Sequence, residues 1–245
     1  MRKLLGTAAL TLALLTPAIQ AQAEISDTQW DEVREFLERN PEIHGQLERM
    51  MDRELGPDQI AEDAAYIADN TNIFYDDPMS PVLGNPDGTI HVVKFSDFRC
   101  GHCRNVTPEL KKLIESDPRV KLIIKEFPIL GPDSVEAAKF ALAAYKVGGS
   151  EAYAHVEDAL FDLGGSRMTG YLLEEIAAEA GLDAKSVIDL MDSPEIAEEL
   201  ASTAQIAQDM KITGTPAILI GDVVVRGSIP VAAMQQGISE VYGTE

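Results

Sequence analysis

The sequence is poor in cysteine, in basic residues and in long apolar runs, and each shortage removes a class of protein. Only two cysteines occur in 245 residues, Cys100 and Cys103. A small secreted fold stapled by several disulfides needs more of them, set further apart. A bridge between these two closes a very short loop, worth only about 2 kcal/mol. A chain of this length has a core and does not need it. Lysine and arginine number 20 against 41 acidic residues, a formal net charge of −21. Such a surface repels nucleic acid and anionic membranes. Beyond the N-terminus no apolar run approaches the roughly 20 residues that cross a bilayer. Low-complexity tracts and short repeats are also missing.

One apolar run does stand out, at residues 4–15, behind Arg2 and Lys3 and ahead of Pro17 and Ala21-Gln22-Ala23. A charged start, a short apolar stretch and an A-x-A site make a cleaved secretory leader, here residues 1–23. The expectation is an exported, periplasmic chain that starts near Glu24 and inserts in no membrane after cleavage.

The spacing of the two cysteines is the strongest signal. Cys100-Gly101-His102-Cys103 is a C-x-x-C pair beside a strand-then-helix pattern, which is the setting of redox chemistry. Residues 89–95 are β-branched and apolar enough for a buried strand, after the turn signal Asn85-Pro86-Asp87-Gly88. A helix pattern begins at Cys100, with Val106, Leu110, Leu113 and Ile114 as its apolar face and Pro108 as an expected kink. A second strand is predicted over 120–127. Strand, helix, strand implies a parallel pair. From 132 to 210 the pattern is helical. Strand signals return at 217–220 and 223–225 around the hairpin turn Gly221-Asp222, and a last helix spans about 231–242. The fold class is therefore α/β.

The chemistry of the pair follows from its place. Disulfide exchange needs a thiolate, and an unperturbed thiol is only about 3% ionised at pH 7. Cys100 falls at a helix N-terminus, where free N–H groups and the dipole favour an anion. A drop of about one to two units in its pKa is expected. His102, if protonated, adds positive charge; otherwise it is a solvated loop histidine. Cys103, about one turn in, is expected to be buried and to resolve the mixed disulfide. The rival is a metal-handling or chaperone-like binding protein that uses the same thiols. Against a metal site, residues at i and i+2 on a helix face apart, so His102 does not converge with the two sulfurs, and no second ligand pair completes a shell. No metal, nucleotide, flavin or haem cofactor is expected. Trp30, Phe36, Met50 and Met51 are read as packing residues, and His44, His91 and His155 as ordinary histidines.

The element order, with the segments 95–103 and Gly214-Thr215-Pro216-Ala217, resembles the DsbA-like branch of the thioredoxin superfamily over residues 77–245. Residues 33–43 are similar to the N-terminal region of ScsC-type and Com1-type members. The resemblance implies a thioredoxin-like fold with a helical block inserted at about 132–211. It also implies a small helical N-terminal region at 24–76. The implied activity is a protein disulfide oxidoreductase or isomerase acting on exported proteins with cysteines, recycled by a redox partner that the sequence does not identify. It makes Thr215-Pro216 a cis bond facing the C-x-x-C pair and a substrate-binding element. Thioredoxin-fold enzymes often carry an acid six positions before the first cysteine; here Lys94 stands there. Glu126 on the next strand either pairs with Lys94 in an edge-facing salt bridge or accepts the Cys103 proton. Residues 27–75 show three apolar stripes, the last through Ile60, Ala64, Ile67 and Ala68. The resemblance makes them a homo-oligomerisation element that favours isomerase activity.

Overall fold

The computed structural model describes Arg39, residues 57–164 and residues 168–243. The leader and the stripes before residue 57 lie outside the described residues. Residues 1–54 and 55–245 are two compact units, and the second carries the elements described below.

The two central strands are β2, Ile90–Ser96, and β3, Val120–Glu126, both buried along almost their whole length. They pair in parallel, Ile90 with Val120 through Ser96 with Glu126. β1, Val82–Gly84, runs antiparallel beside β3; β4, Ala217–Ile220, lies antiparallel on the other side of β2; and β5, Val223–Arg226, closes the hairpin. The sheet order is β1-β3-β2-β4-β5. β1 is too short to leave a pattern that sequence reasoning detects. The turn after it needs Gly88, because a Cβ there would fall 2.4 Å from the Arg119 carbonyl oxygen.

Strand alternation sends side chains to two cores. On one face Val92, Leu122, Ile124 and Ile218 meet helix α3, Gly101–Ser116, and α4, Pro132–Asp162. On the other, Val93, Phe95, Ile123 and Leu219 meet α1, Pro57–Asp69, α2, Thr71–Tyr75, and α7, Pro194–Asp209. The helical block is completed by α5, Gly170–Glu179, and α6, Ala184–Leu190, and the chain ends in α8, Val231–Tyr242. α3 runs on through Pro108. α4 is broken at Gly149, whose φ of 72° a residue with a Cβ would rarely adopt.

The helices at 57–75 differ from expectation. They do not belong to a separate region ending at 76: Ile67 and Phe74 sit in the second core of the catalytic sheet. The stripe is also rotated. Ile60 is 52% exposed, whereas Asp63 is buried and holds Arg226 of β5 through contacts of 2.9 and 3.1 Å. The pull of that buried ion pair decides which helix face turns inward.

Candidate functional site

Everything at the site hangs on how β2 ends. After Ser96 the chain turns at Asp97, whose carboxylate is buried and surrounded by donors. It accepts from the N–H of Arg99 at 2.8 Å, the N–H groups of Ile129 and Leu130 at 2.8 and 3.0 Å, and the Ser134 hydroxyl at 2.8 Å. The Asp97 carbonyl accepts the Cys100 N–H at 3.0 Å. Phe98 packs on Phe161 with ring centroids 5.1 Å apart. This turn places Cys100 as the N-cap of α3. Asp97→Ala strips one acceptor from all four donors. We expect a loss of at least about 3 kcal/mol, read from the denaturant midpoint at unchanged slope.

Cys100 has extended backbone angles, and its sulfur accepts the Cys103 N–H at 3.4 Å. The sulfur thus fills the role that a serine or aspartate oxygen plays at other helix starts. The first turn of α3 holds no acidic residue to oppose a negative charge. Both cysteines are free thiols. Their environments are unlike. A hydrogen bond from Cys103 pulls the Cys100 thiol down to about 5, against the opposing effect of burial; Thr215 and the backbone N–H groups of Cys103 and His102 act in the same downward direction. The fall exceeds the one to two units expected from position alone, because the partner thiol adds to the helix end. Cys103 is fully buried and its thiol is pushed up, by the same hydrogen bond first and then by desolvation.

His102 is exposed on the first turn, and its contribution to Cys100 is a backbone N–H. The Thr215-Pro216 bond is cis. It faces the pair, with the Thr215 carbonyl oxygen 3.2 Å from the Cys100 sulfur.

Lys94 and Glu126 depart from their expected pairing. Neither lies at an edge, both being at most 1% exposed. Lys94 is bound to Glu157 of α4 at 2.9 Å and to Thr107 at 2.8 Å. Glu126 accepts from the Tyr153 hydroxyl. The reason is register. Lys94 stands opposite Ile124, and Glu126 stands opposite Ser96, one pleat further along. Helix α4 then lays Glu157 over the lysine. Burial first of all pushes the Glu126 carboxyl up to about 8. Sequence reasoning missed Glu157, Tyr153 and Asp97. For Glu157 a signal exists: it falls within the buried stripe Tyr153, Val156, Leu160 of α4. Among the described residues no three histidine, cysteine or acidic side chains are grouped to hold a metal ion, and no helix is long and apolar enough to cross a membrane.

The arrangement combines a stabilised thiolate at a helix end, a buried partner thiol and a proline loop across from both. A family model described as thioredoxin matches residues 76–240. Among curated proteins, the probable disulfide bond formation protein D of Bacillus anthracis is 27% identical over 148 residues, covering 56% of this chain and 68% of that protein. A thioredoxin-like oxidoreductase from Silicibacter pomeroyi DSS-3 superposes with a TM-score of 0.65 at 34% identity, over 72% of this chain and 99% of the other. The catalytic domain of Proteus mirabilis ScsC gives a TM-score of 0.64 at 25% identity, over 72% and 97%.

Proposed function

This chain belongs to the thioredoxin family, in its DsbA-like branch of thiol–disulfide oxidoreductases, and from that premise we propose that it forms, reduces or isomerises disulfides in exported proteins through Cys100 and Cys103. The observation that carries this reading is the asymmetry of the two thiols, one pulled down to about 5 and the other pushed up. The Cys100 thiolate attacks a substrate disulfide. One substrate sulfur leaves as a thiolate, and the other is held in a mixed disulfide. Cys103 then loses its proton and attacks the Cys100 sulfur. The second substrate thiolate leaves, and the enzyme holds the disulfide. The reverse sequence oxidises a substrate dithiol. A lowered Cys100 pKa stabilises the reduced enzyme and so favours that reverse, oxidising direction.

The substrate lies across the Thr215-Pro216 loop, where exposed backbone can pair with an extended strand. Ile129 and Leu130 are 41% and 49% exposed, and Asp97 holds them beside the Cys100 turn. They offer apolar contact to an unfolded chain. Export follows from the leader at residues 1–23, and the mass of the purified protein, starting near Glu24, checks it. A redox partner from the same compartment restores the working state.

Direction depends on assembly. A homo-oligomer joined through the region before residue 57 would present several dithiols to one substrate and favour isomerisation. Truncation at Asp76 would strip Ile67 and Phe74 from the core, so the comparison is with a chain starting at Pro57. Light scattering should find the full mature chain larger than a monomer and the truncated chain monomeric. The full chain should rescue a scrambled test protein, and the truncated chain should only oxidise a reduced one. A monomeric full chain overturns the isomerase reading. A chain that neither oxidises nor rescues a test protein overturns the exchange reading.

A further inference from the structure

Helices α4 and α5 lie side by side with a groove left open between them. After its break at Gly149, α4 repeats Ala152, His155 and Ala159 at helical spacing, and α5 does the same with Leu172 and Ile176. Positions three and four apart share one side of a helix, so each set forms a stripe. Alanine is too short to fill the space between packed helices where longer side chains are missing. Two hollows result, of about 490 and about 420 Å³, and His155 and Glu179 line both, so they join end to end. The floor is apolar. Ala152 and Ile176 are each 5% exposed, and Ala159 and Leu172 are half-buried.

The walls carry one sign of charge. Glu151, Asp158, Asp162, Glu175 and Glu179 line the hollows, and all five are exposed. Lys111 of α3 holds Asp158. The other four have no ion-pair partner among the described residues. None of the described lysines or arginines lines either hollow. One end of the groove lies beside the thiol site. Leu163 lines that end, and a Cβ on the next residue, Gly164, would fall 2.9 Å from the Arg104 guanidinium. Arg104 donates its N–H to the Cys100 carbonyl oxygen at 3.1 Å. From Asp162 back to Glu151 the groove follows α4 for about 16 Å, room for about five extended residues.

Charge decides what fits. An apolar floor between unpaired carboxylates suits a segment of aliphatic and basic residues, whose lysine stems bury while their ammonium groups meet the walls. A second copy of this chain, at −21, is repelled, and so is its own segment 24–54, with ten acids against four arginines. Nucleic acid and anionic membranes are repelled in the same way. We propose that the α4–α5 groove is a second substrate-binding surface, which takes an extended basic and aliphatic segment of the protein whose cysteines are engaged at Cys100. This rests on the exchange reading above and names its substrate class: exported chains with lysine or arginine among aliphatic residues near their cysteines. Cys100 recognises sulfur and the Thr215-Pro216 loop offers backbone, so neither selects by charge. The groove does, and two contacts on one chain add affinity that a lone thiol contact lacks.

The test has two arms, both on the full mature protein. In the first, a short cysteine-free peptide of alternating leucine and lysine carries a fluorophore, and its anisotropy is followed on titration beside a leucine–glutamate counterpart. The basic peptide should bind and the acidic one should not, and binding should weaken as salt rises from about 50 mM to about 500 mM. Glu175→Gln together with Glu179→Gln should weaken it about fivefold or more. Asp69→Asn with Glu240→Gln removes the same charge from α1 and α8 and should leave binding unchanged. In the second arm each peptide gains one cysteine, held in a disulfide, and its exchange rate is compared with that of hydroxyethyl disulfide, which is too small to reach the groove. The Glu175→Gln/Glu179→Gln protein should lose the preference for the basic peptide and keep the natural rate with hydroxyethyl disulfide. Equal binding of the two peptides, equal losses in the two variant pairs, or an undiminished preference in the groove variant overturns the proposal. Failure of the exchange reading looks different: the natural protein would react with neither peptide disulfides nor hydroxyethyl disulfide, while the cysteine-free basic peptide still bound.

Discussion

Cys103→Ser is expected to stop the cycle at the mixed disulfide and leave substrate proteins attached to Cys100, whereas Cys100→Ser is expected to lower exchange to background. The two outcomes differ because the thiols occupy different places. Cys100 caps α3 with its sulfur and holds the thiolate; Cys103 is at 0% exposure and cannot meet a substrate disulfide directly. Removing the first group removes the nucleophile, and the serine hydroxyl that replaces it stays protonated. Removing the second leaves attack intact but deletes the only intramolecular route to release, where proximity does most of the work. Release then waits for a thiol from solution. Mass spectrometry of the purified Cys103→Ser protein, before and after reductant, reads the trapped chains and identifies the natural substrates. Undiminished oxidation of a test substrate by the Cys100→Ser protein would end this assignment of roles.

The stability of the dithiol form should rise with pH relative to the Cys100→Ser variant. Cys100 titrates near 5 in the folded protein and near 9 when unperturbed. Between those values the unfolded chain binds more protons, so folding stability rises with pH across that window and is lost as pH falls through about 5. Near pH 7 the difference approaches about 3 kcal/mol. Cys103 works in the opposite sense, since its raised thiol penalises folding as pH climbs beyond the unperturbed value. The Cys100 gain should stop growing near pH 9, where the unfolded thiol ionises as well. The variant is the necessary reference, because Glu126 and Glu199 slope the other way. Burial raises them to about 8 and about 7, so their penalty grows as pH rises from about 4.5. Both are present in the two proteins and cancel in the difference. Chemical denaturation of each under reductant, at several pH values, checks the sign. A flat difference between pH 5 and 8 would mean that the thiolate is not stabilised by the fold. The same stabilisation makes the enzyme disulfide more oxidising by about 60 mV near pH 7.

The Cys100–Cys103 pair illustrates how far local sequence reaches. Its redox character, its place at a strand–helix junction and the anion-favouring helix end are all contained in about ten consecutive residues. The depth of the Cys100 shift is not, because its first cause is the geometry between the two sulfurs, with Thr215, more than a hundred residues away, adding to it. The apolar stripe of α1 shows the opposite failure. Its periodicity was legible, but the face that turns inward was decided by a long-range ion pair between Asp63 and Arg226.

What the sequence alone determined, then, is what short-range physics controls. Strands β2, β3, β4 and β5 follow from β-branched runs bounded by turn residues, the helical block from its 3.6-residue period, and the chemistry from two thiols three positions apart. Tertiary structure decided who stands opposite whom. Lys94 and Glu126 are two residues on neighbouring strands, and nothing local says that register sets them one pleat apart. Glu157 reaches Lys94 only because α4 crosses that face of the sheet. A buried charge must be matched by whatever group packing brings within about 3 Å, and that partner is chosen by the fold as a whole rather than by its neighbours in the chain.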